Sequence, residues 1–89
     1  MKIRILKQPV KWWSEFPDGN RSDADHVWEI TEQETGEVIG FIYTERHAGD
    51  LEYVLQLRTV WRSIEDESWI FIPYDCIFQA KKEARIFCK

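Results

Sequence analysis

The stretch VIGFIYTERHAGDLEYVLQLRTVWR, residues 38–62, decides the fold of this 89-residue chain. Its second half alternates between apolar and polar residues, which is typical of a half-buried strand. One face of residues 53–62 carries Tyr53, Leu55, Leu57, Thr59 and Trp61. Residues 38–44 are apolar on both faces apart from Gly40, and this predicts a strand in the middle of a sheet. The turn sequence HAGD at 47–50 makes the two strands a hairpin.

Shorter patterns extend the sheet on both sides of this hairpin. Ile3 and Ile5 alternate with basic residues and predict a first strand, and residues 27–31 predict a second. Residues 34–37 predict a tight turn in which Gly36 takes a positive φ. A last strand is expected over 69–72 and is expected to end at Pro73, because proline donates no ladder hydrogen bond. Such short connections make neighbouring strands antiparallel.

The apolar period changes to 3.6 residues from Asp75 onward, which predicts a helix with Asp75 as its N-cap. Its apolar stripe comprises Cys76, Ile77, Ala80, Ala84, Phe87 and Cys88. The two alanines allow the helix to lie close to a sheet. The sequence therefore predicts a single α+β domain over residues 1–89, an antiparallel β-meander of about five strands covered by one C-terminal α-helix.

The composition limits the location of the chain. It contains no apolar run of the roughly 18–20 residues that a membrane span needs, and no signal-peptide pattern. A cytoplasmic location is expected. Cys76 and Cys88 would lie about 18 Å apart along one helix, which is too far for a disulfide. Both are expected to be buried free thiols, and the alternative is a reactive or metal-binding thiol.

Charge is segregated along the chain within a formal net charge of −4. Residues 1–11 carry four cations and no acid. Residues 12–75 carry fifteen acids against four arginines, and residues 76–89 carry four cations against one acid. A pI near 5.1 is atypical of a general nucleic-acid binder, but it leaves room for a local basic patch.

The predicted helix carries its cations in one sector beside the buried stripe. A helical wheel places in that sector Phe78, Lys81, Lys82, Arg85 and Lys89. Lys2 and Arg4 would extend the patch if the first strand lay beside the helix. Cations around an exposed aromatic side chain suit a nucleic-acid backbone and one stacked base. The alternative is a solvated helix face whose cations favour the helix C-terminus.

The acidic part of the chain offers a different surface. Three aromatic residues fall within KWWSEF at 11–16, and exposed tryptophans anchor many protein interfaces. The alternative is that they close the core as a loop lid. The candidate partner-binding residues are Trp12, Trp13, Asp23, Asp25, Glu65, Asp66 and Glu67, in which the acids would supply orientation and the aromatics affinity.

Catalytic and metal-binding patterns are weak. Residues 18–29 resemble a calcium loop, but position six is Asp23 where glycine is needed, and no helix pattern flanks it. One hairpin loop carries Glu45, Arg46, His47 and Asp50, but a hairpin tip offers little concavity for acid–base catalysis. Two histidines and two distant cysteines make no zinc site. The sequence predicts a protein that is not an enzyme and has no cofactor or metal.

No motif diagnostic of a known family is present. A short acidic, aromatic-rich chain with TGEVIG at 35–40 in a hairpin and QAKKEAR at 79–85 in a terminal helix is similar to many small accessory proteins of phages and mobile elements. That resemblance implies a non-enzymatic protein-binding module, such as an inhibitor of a host or defence factor. It would act as a monomer or as an edge-strand dimer.

Nucleic-acid binding through the helix is the alternative to protein binding. The protein-binding interpretation needs the acidic middle of the chain to be exposed. The nucleic-acid interpretation needs the two basic ends of the chain to converge.

Overall fold

The computed structural model describes residues 2–11, 24–58 and 69–88. Its elements in chain order are β1 (Ile3–Gln8), β2 (Val27–Glu32), β3 (Val38–His47), β4 (Asp50–Arg58), β5 (Trp69–Tyr74) and α1 (Ile77–Phe87). The strands form one antiparallel sheet in the order β1-β2-β3-β4-β5, and α1 packs on β4 and β5. The predicted meander with a C-terminal helix is confirmed.

The connections that hold consecutive strands together are tight turns. Between β2 and β3, Gly36 has a φ of 73°, as predicted, and its N–H donates to the carbonyl of Glu32 at 2.9 Å. Between β3 and β4 only Ala48 and Gly49 remain unpaired, with φ values of 53° and 87°. Positive φ at both residues is the requirement of a type I′ hairpin turn. The β3–β4 hairpin is therefore longer than the sequence predicted, because residues 45–47 and 50–52 also pair.

The main core lies between the sheet and α1. Buried isoleucines and leucines of β2, β3 and β4 meet the small residues of the helix; the cluster comprises Ile3, Trp28, Ile30, Ile39, Ile42, Leu55, Leu57, Ala80, Ala84 and Cys88. Ala80 and Ala84 are fully buried. This confirms the expectation that the two alanines let the helix approach the sheet, and it fixes which side of α1 faces solvent.

The opposite face of the sheet carries a second, smaller core. It is formed by Ala24, Val27, Phe41, Tyr43 and Val54. Thr44 anchors the chain that enters β2, because its Oγ1 accepts hydrogen bonds from the N–H groups of Asp25 and His26, both at 3.0 Å. Gln56, which the alternation assigned to a polar face, is also buried, at 3% exposed. Both faces of the central strands are therefore covered.

An irregularity in β3 lies next to Gly40. The β2–β3 register shifts between Ile30 and Thr31, which pair with Gly40 and Val38 and leave Ile39 as the extra residue of a β-bulge. Ile39 belongs to the core cluster under α1. Gly40 is needed here because a Cβ at this position would meet the carbonyl oxygen of Gln56. Gly40, which interrupts the apolar run of residues 38–44, is therefore required for close packing of β3 against β4.

Three expectations at the start of α1 are wrong. Pro73 does not end the last strand, since it pairs with Val54 inside β5. β5 is an edge strand of the described sheet, where a residue without an N–H is tolerated. The N-cap is Cys76 and not Asp75: the Cys76 Sγ accepts from the N–H of Gln79 at 3.4 Å. Cys76 is consequently exposed and does not belong to the buried stripe.

The other end of the helix follows the prediction more closely. Cys88 is a buried free thiol, and burial raises its pKa, so the group stays protonated at neutral pH. Phe87, which the wheel placed on the stripe, is 37% exposed. The described part of β4 spans Asp50–Arg58, so the predicted strand positions 59–62 lie outside the described residues.

Glu29 supplies a pH-dependent test of the second core. It lies between Leu6 and Phe41 in the sheet register, and burial raises the pKa of its carboxyl above the ordinary 4.5. A raised pKa means that the fold favours the protonated form, so stability from this group is lost as the pH rises through the raised pKa. We expect Glu29→Gln to raise the melting temperature at pH 7. This gain should vanish as the pH falls below 4.5.

Thermal unfolding of both proteins between pH 3.5 and 8 measures this difference. Glu34→Gln, at an exposed turn residue, is the matched control and should follow the parent protein. A Glu29→Gln variant that melts below the parent at pH 7 would contradict the prediction. That result would mean that the ionised carboxylate stabilises the fold.

Candidate functional site

The direction of α1 across the sheet brings the two basic ends of the chain together. The helix starts near β5, where burial and the charge of Glu83 raise the pKa of Tyr74. Towards its other end, Arg85 Nη1 donates to the carbonyl oxygen of Ile3 in β1 at 3.4 Å. The acidic side of α1 thus faces β5, whereas its cationic side faces β1.

Trp28 is the centre of this convergence. It is 9% exposed and lies beside Lys7 in the β1–β2 register. The Lys7 Nζ is 5.8 Å from the centroid of the Trp28 ring, and the Lys81 Nζ is 5.9 Å from it. Each contact is a cation–π interaction of about 0.5–1 kcal/mol. One indole therefore holds a cation from the N-terminal strand and a cation from the C-terminal helix on the same patch.

A cavity of about 280 Å³ lies at the other end of β1. The described residues that line it are Lys2, Ile3, Gln33 and Arg85. The backbone here is fixed, because the N–H of Gln33 donates to the carbonyl of Lys2 at 3.0 Å. Arg85 is also held in place by its hydrogen bond to Ile3. Two cations and a neutral amide thus surround an open space.

The outer side of the helix completes this surface. Lys82 is exposed, and Phe78 is 78% exposed, the largest exposure among the described large hydrophobic residues. Phe78 is four residues from Lys82 and three from Lys81, so all three are neighbours on the helix. We call the group Lys2, Lys7, Phe78, Lys81, Lys82 and Arg85 the basic surface.

Sequence reasoning found most of the basic surface. Phe78, Lys81, Lys82 and Arg85 lie on α1 as predicted, and Lys89 lies outside the described residues. Lys2 joins the patch through the cavity. Arg4 does not line the cavity, and alternate residues within β1 point to opposite faces, so Arg4 lies opposite Ile3 and Ile5. Lys2 precedes β1, so this alternation does not apply to it. The sequence analysis did not include Lys7, although alternation along β1 places it on the same face as Ile3 and Ile5.

Asp25 is the one predicted partner-binding residue within the described part of the chain. The residues outside the described part of the chain are Trp12, Trp13, Asp23, Glu65, Asp66 and Glu67, together with positions 18–23 of the calcium-like loop. Asp25 is exposed, and its Oδ2 lies 3.7 Å from Arg46 Nη2 in an exposed ion pair. Such a pair contributes little to stability. The protein-binding interpretation stays a prediction.

Residues 2–11, 24–58 and 69–88 contain no group of three His, Cys, Asp or Glu residues that could hold a metal ion. No helix in this part of the chain is long and apolar enough to cross a membrane. In the predicted acid–base cluster, Glu45 and His47 lie on β3, and Asp50 is exposed at the start of β4.

Comparisons with protein-family models, with curated proteins and with solved structures found no match for this chain.

Proposed function

We propose that the basic surface binds the phosphate backbone of a single-stranded nucleic acid, with Phe78 stacking against one base. The observation that carries the proposal is the convergence of Lys7 and Lys81 on Trp28. These residues are far apart in sequence, and only the path of α1 across the sheet brings them together. If the helix cations were only a solvated face, there would be no reason for Lys81 to share the Trp28 ring with Lys7 of β1.

The electrostatics support an anionic strand as the ligand. The basic surface presents five cations, and the acid of α1, Glu83, lies on the side that faces Tyr74. Lys2, Lys7 and Lys82 are exposed, so their ammonium groups are accessible to phosphates. The net charge of −4 disfavours non-specific contact with an anionic strand, so binding would depend on this cationic face.

The exposed phenyl ring favours a single strand over a duplex. Stacking on an aromatic side chain requires an unpaired base, and it contributes about 1–3 kcal/mol per base. Phe78 is available for this role because its ring is 78% exposed. Its helical neighbours Lys81 and Lys82 would hold the phosphates on either side of the stacked base.

Fluorescence anisotropy with a labelled single-stranded oligonucleotide tests the proposal. We expect a dissociation constant of roughly 1–100 µM at low salt, and a log–log salt slope of about −2 to −3 for three or four neutralised phosphates. Lys81→Gln should weaken binding and reduce the magnitude of the slope by about 0.7, the contribution of one phosphate contact. Phe78→Ala should weaken binding about 5- to 150-fold, because the stacking contribution is lost.

Two matched variants control for loss of charge and of apolar surface. Arg4→Gln removes a cation from the opposite face of β1, and Phe71→Ala removes an exposed aromatic side chain of β5 from the sheet face opposite α1. Both should bind like the parent protein. Absence of a complex at 100 µM protein and low salt would refute the proposal. In that case the protein-binding interpretation, tested by charge reversal of Glu65, Asp66 and Glu67 in pull-downs, becomes the better hypothesis.

A further inference from the structure

The cavity between β1 and α1 has a chemistry different from that of the open helix face. On the premise that the basic surface binds nucleic acid, we propose that this cavity receives the terminal phosphate monoester of the strand. Lys2 and Arg85 would share the phosphate oxygens, and Gln33 would donate from its side-chain amide. The juxtaposition of Lys2, Gln33 and Arg85 around one cavity is the basis of this assignment.

The donors available in the cavity match a phosphate group. A guanidinium has five N–H donors, an ammonium three and a side-chain amide two. One Arg85 N–H group is used on the Ile3 carbonyl, which fixes the guanidinium while leaving the others for a ligand. Charge-assisted hydrogen bonds of this kind are the strong ones, and arginine can form two to one phosphate. The described lining contains no carboxylate that would repel the ligand.

One carboxylate of β2 lies across the ladder from this lining and has its own hydrogen-bond partner. Glu32 pairs with Ile3 in the sheet register. Its Oε2 accepts a hydrogen bond from the Thr35 hydroxyl at 3.1 Å, and this contact holds the carboxylate in the β2–β3 turn. The two cations of the described lining favour a doubly charged ligand. A phosphate monoester carries about −1.5 to −2 charges at pH 7, whereas each internal phosphate of a strand carries one.

The openness of the cavity suits a strand end. It is open to solvent and does not enclose a ligand, so the sugar attached to a phosphate held there can extend outward. The cavity is open to solvent beside α1, so a strand that begins there can continue along the helix towards Phe78.

The first experiment examines the cavity without an oligonucleotide. The protein, labelled with ¹⁵N, is titrated with a nucleoside 5′-monophosphate and, separately, with sodium chloride at equal ionic strength. We expect saturable shifts at the amides of Ile3 and Gln33 and at the Arg85 guanidinium, and only with the monophosphate. Lys2→Gln should weaken this binding about tenfold. Shifts that match those in sodium chloride would overturn the phosphate site, whether or not an oligonucleotide binds elsewhere.

The second experiment compares oligonucleotides of one sequence with a 5′-phosphate, a 3′-phosphate or no terminal phosphate. We expect one phosphorylated form to bind about tenfold tighter than the unphosphorylated form. Lys2→Gln should abolish this preference and Arg4→Gln should retain it. Lys2→Gln is preferred to an Arg85 variant because Arg85 also holds β1.

The outcomes separate the two proposals. Equal affinity for all three oligonucleotides would overturn the terminal-phosphate inference and leave the proposed function intact. Saturable binding of the monophosphate without binding of any oligonucleotide would support the phosphate site and refute the proposed function.

Discussion

Gly40→Ala is expected to destabilise the protein by about 3 kcal/mol, which lowers the melting temperature of a domain this size by roughly 12–24 °C. The added Cβ would collide with the Gln56 carbonyl oxygen and would lie 2.8 Å from Leu57 Cδ2. β3 cannot move aside, because it is paired with β2 on one side and with β4 on the other. The strain must therefore be taken up by the ladder itself.

Gly36→Ala is the matched control for this substitution. Gly36 has a φ of 73°, but no atom lies within 4 Å of its added Cβ. Its cost is expected to be about 1–2 kcal/mol, that of a left-handed alanine. Urea unfolding followed by tryptophan fluorescence measures both variants. Equal losses of stability would show that β3 and β4 separate easily and that Gly40 is not a packing requirement.

Leu55→Ala is expected to reduce the free energy of unfolding by about 3–4 kcal/mol, within the range for buried leucines. Leu55 is fully buried in the middle of the sheet, paired with Ile42 and Ile72. Truncation removes apolar contacts and leaves a cavity in the core under α1. The loss is a large fraction of the roughly 5–15 kcal/mol that stabilises a typical domain.

Leu51→Ala gives the comparison on the same strand and the same face of β4. Leu51 is 36% exposed, so its truncation should cost about 0.5 kcal/mol. The two variants share chemistry, secondary structure and strand, and they differ in burial. Urea midpoints with unchanged m-values would establish the difference. Similar midpoints for both variants would contradict the described position of the core.

The sheet was predictable because its determinants are local. Alternation along β4 and the short turns around Gly36 and Gly49 specify a meander without knowledge of distant contacts. The wrong predictions concern residues whose structural role depends on their tertiary surroundings. Pro73 lies within a strand because β5 is at an edge, and Cys76 caps the helix because its thiol reaches the Gln79 N–H. Neither fact is encoded in the residue type.

The basic surface was predictable only in part for the same reason. The cations of α1 share a sector of the helical wheel, which is a local property. Whether cations of β1 join them depended on β1 lying beside the helix, which the sequence analysis left open. That position follows from tertiary packing, in which Ala84, Cys88 and Ile3 share one core cluster. The apolar pattern of residues 38–44 does not predict the bulge at Ile39 either, although Gly40 lies next to it.

The contact between Arg85 and Ile3 joins residues 82 positions apart, whereas each hairpin joins neighbours in the chain. Contacts of such sequence separation are costly in loop entropy and form late during folding. Ile30, Ile42 and Leu55 share a core cluster with Ala80 and Ala84 of α1, so undocking of the helix would uncover them. The cations of β1 and α1 meet only when the helix is docked, so a ligand held by both elements would stabilise the docked state and raise the free energy of helix undocking.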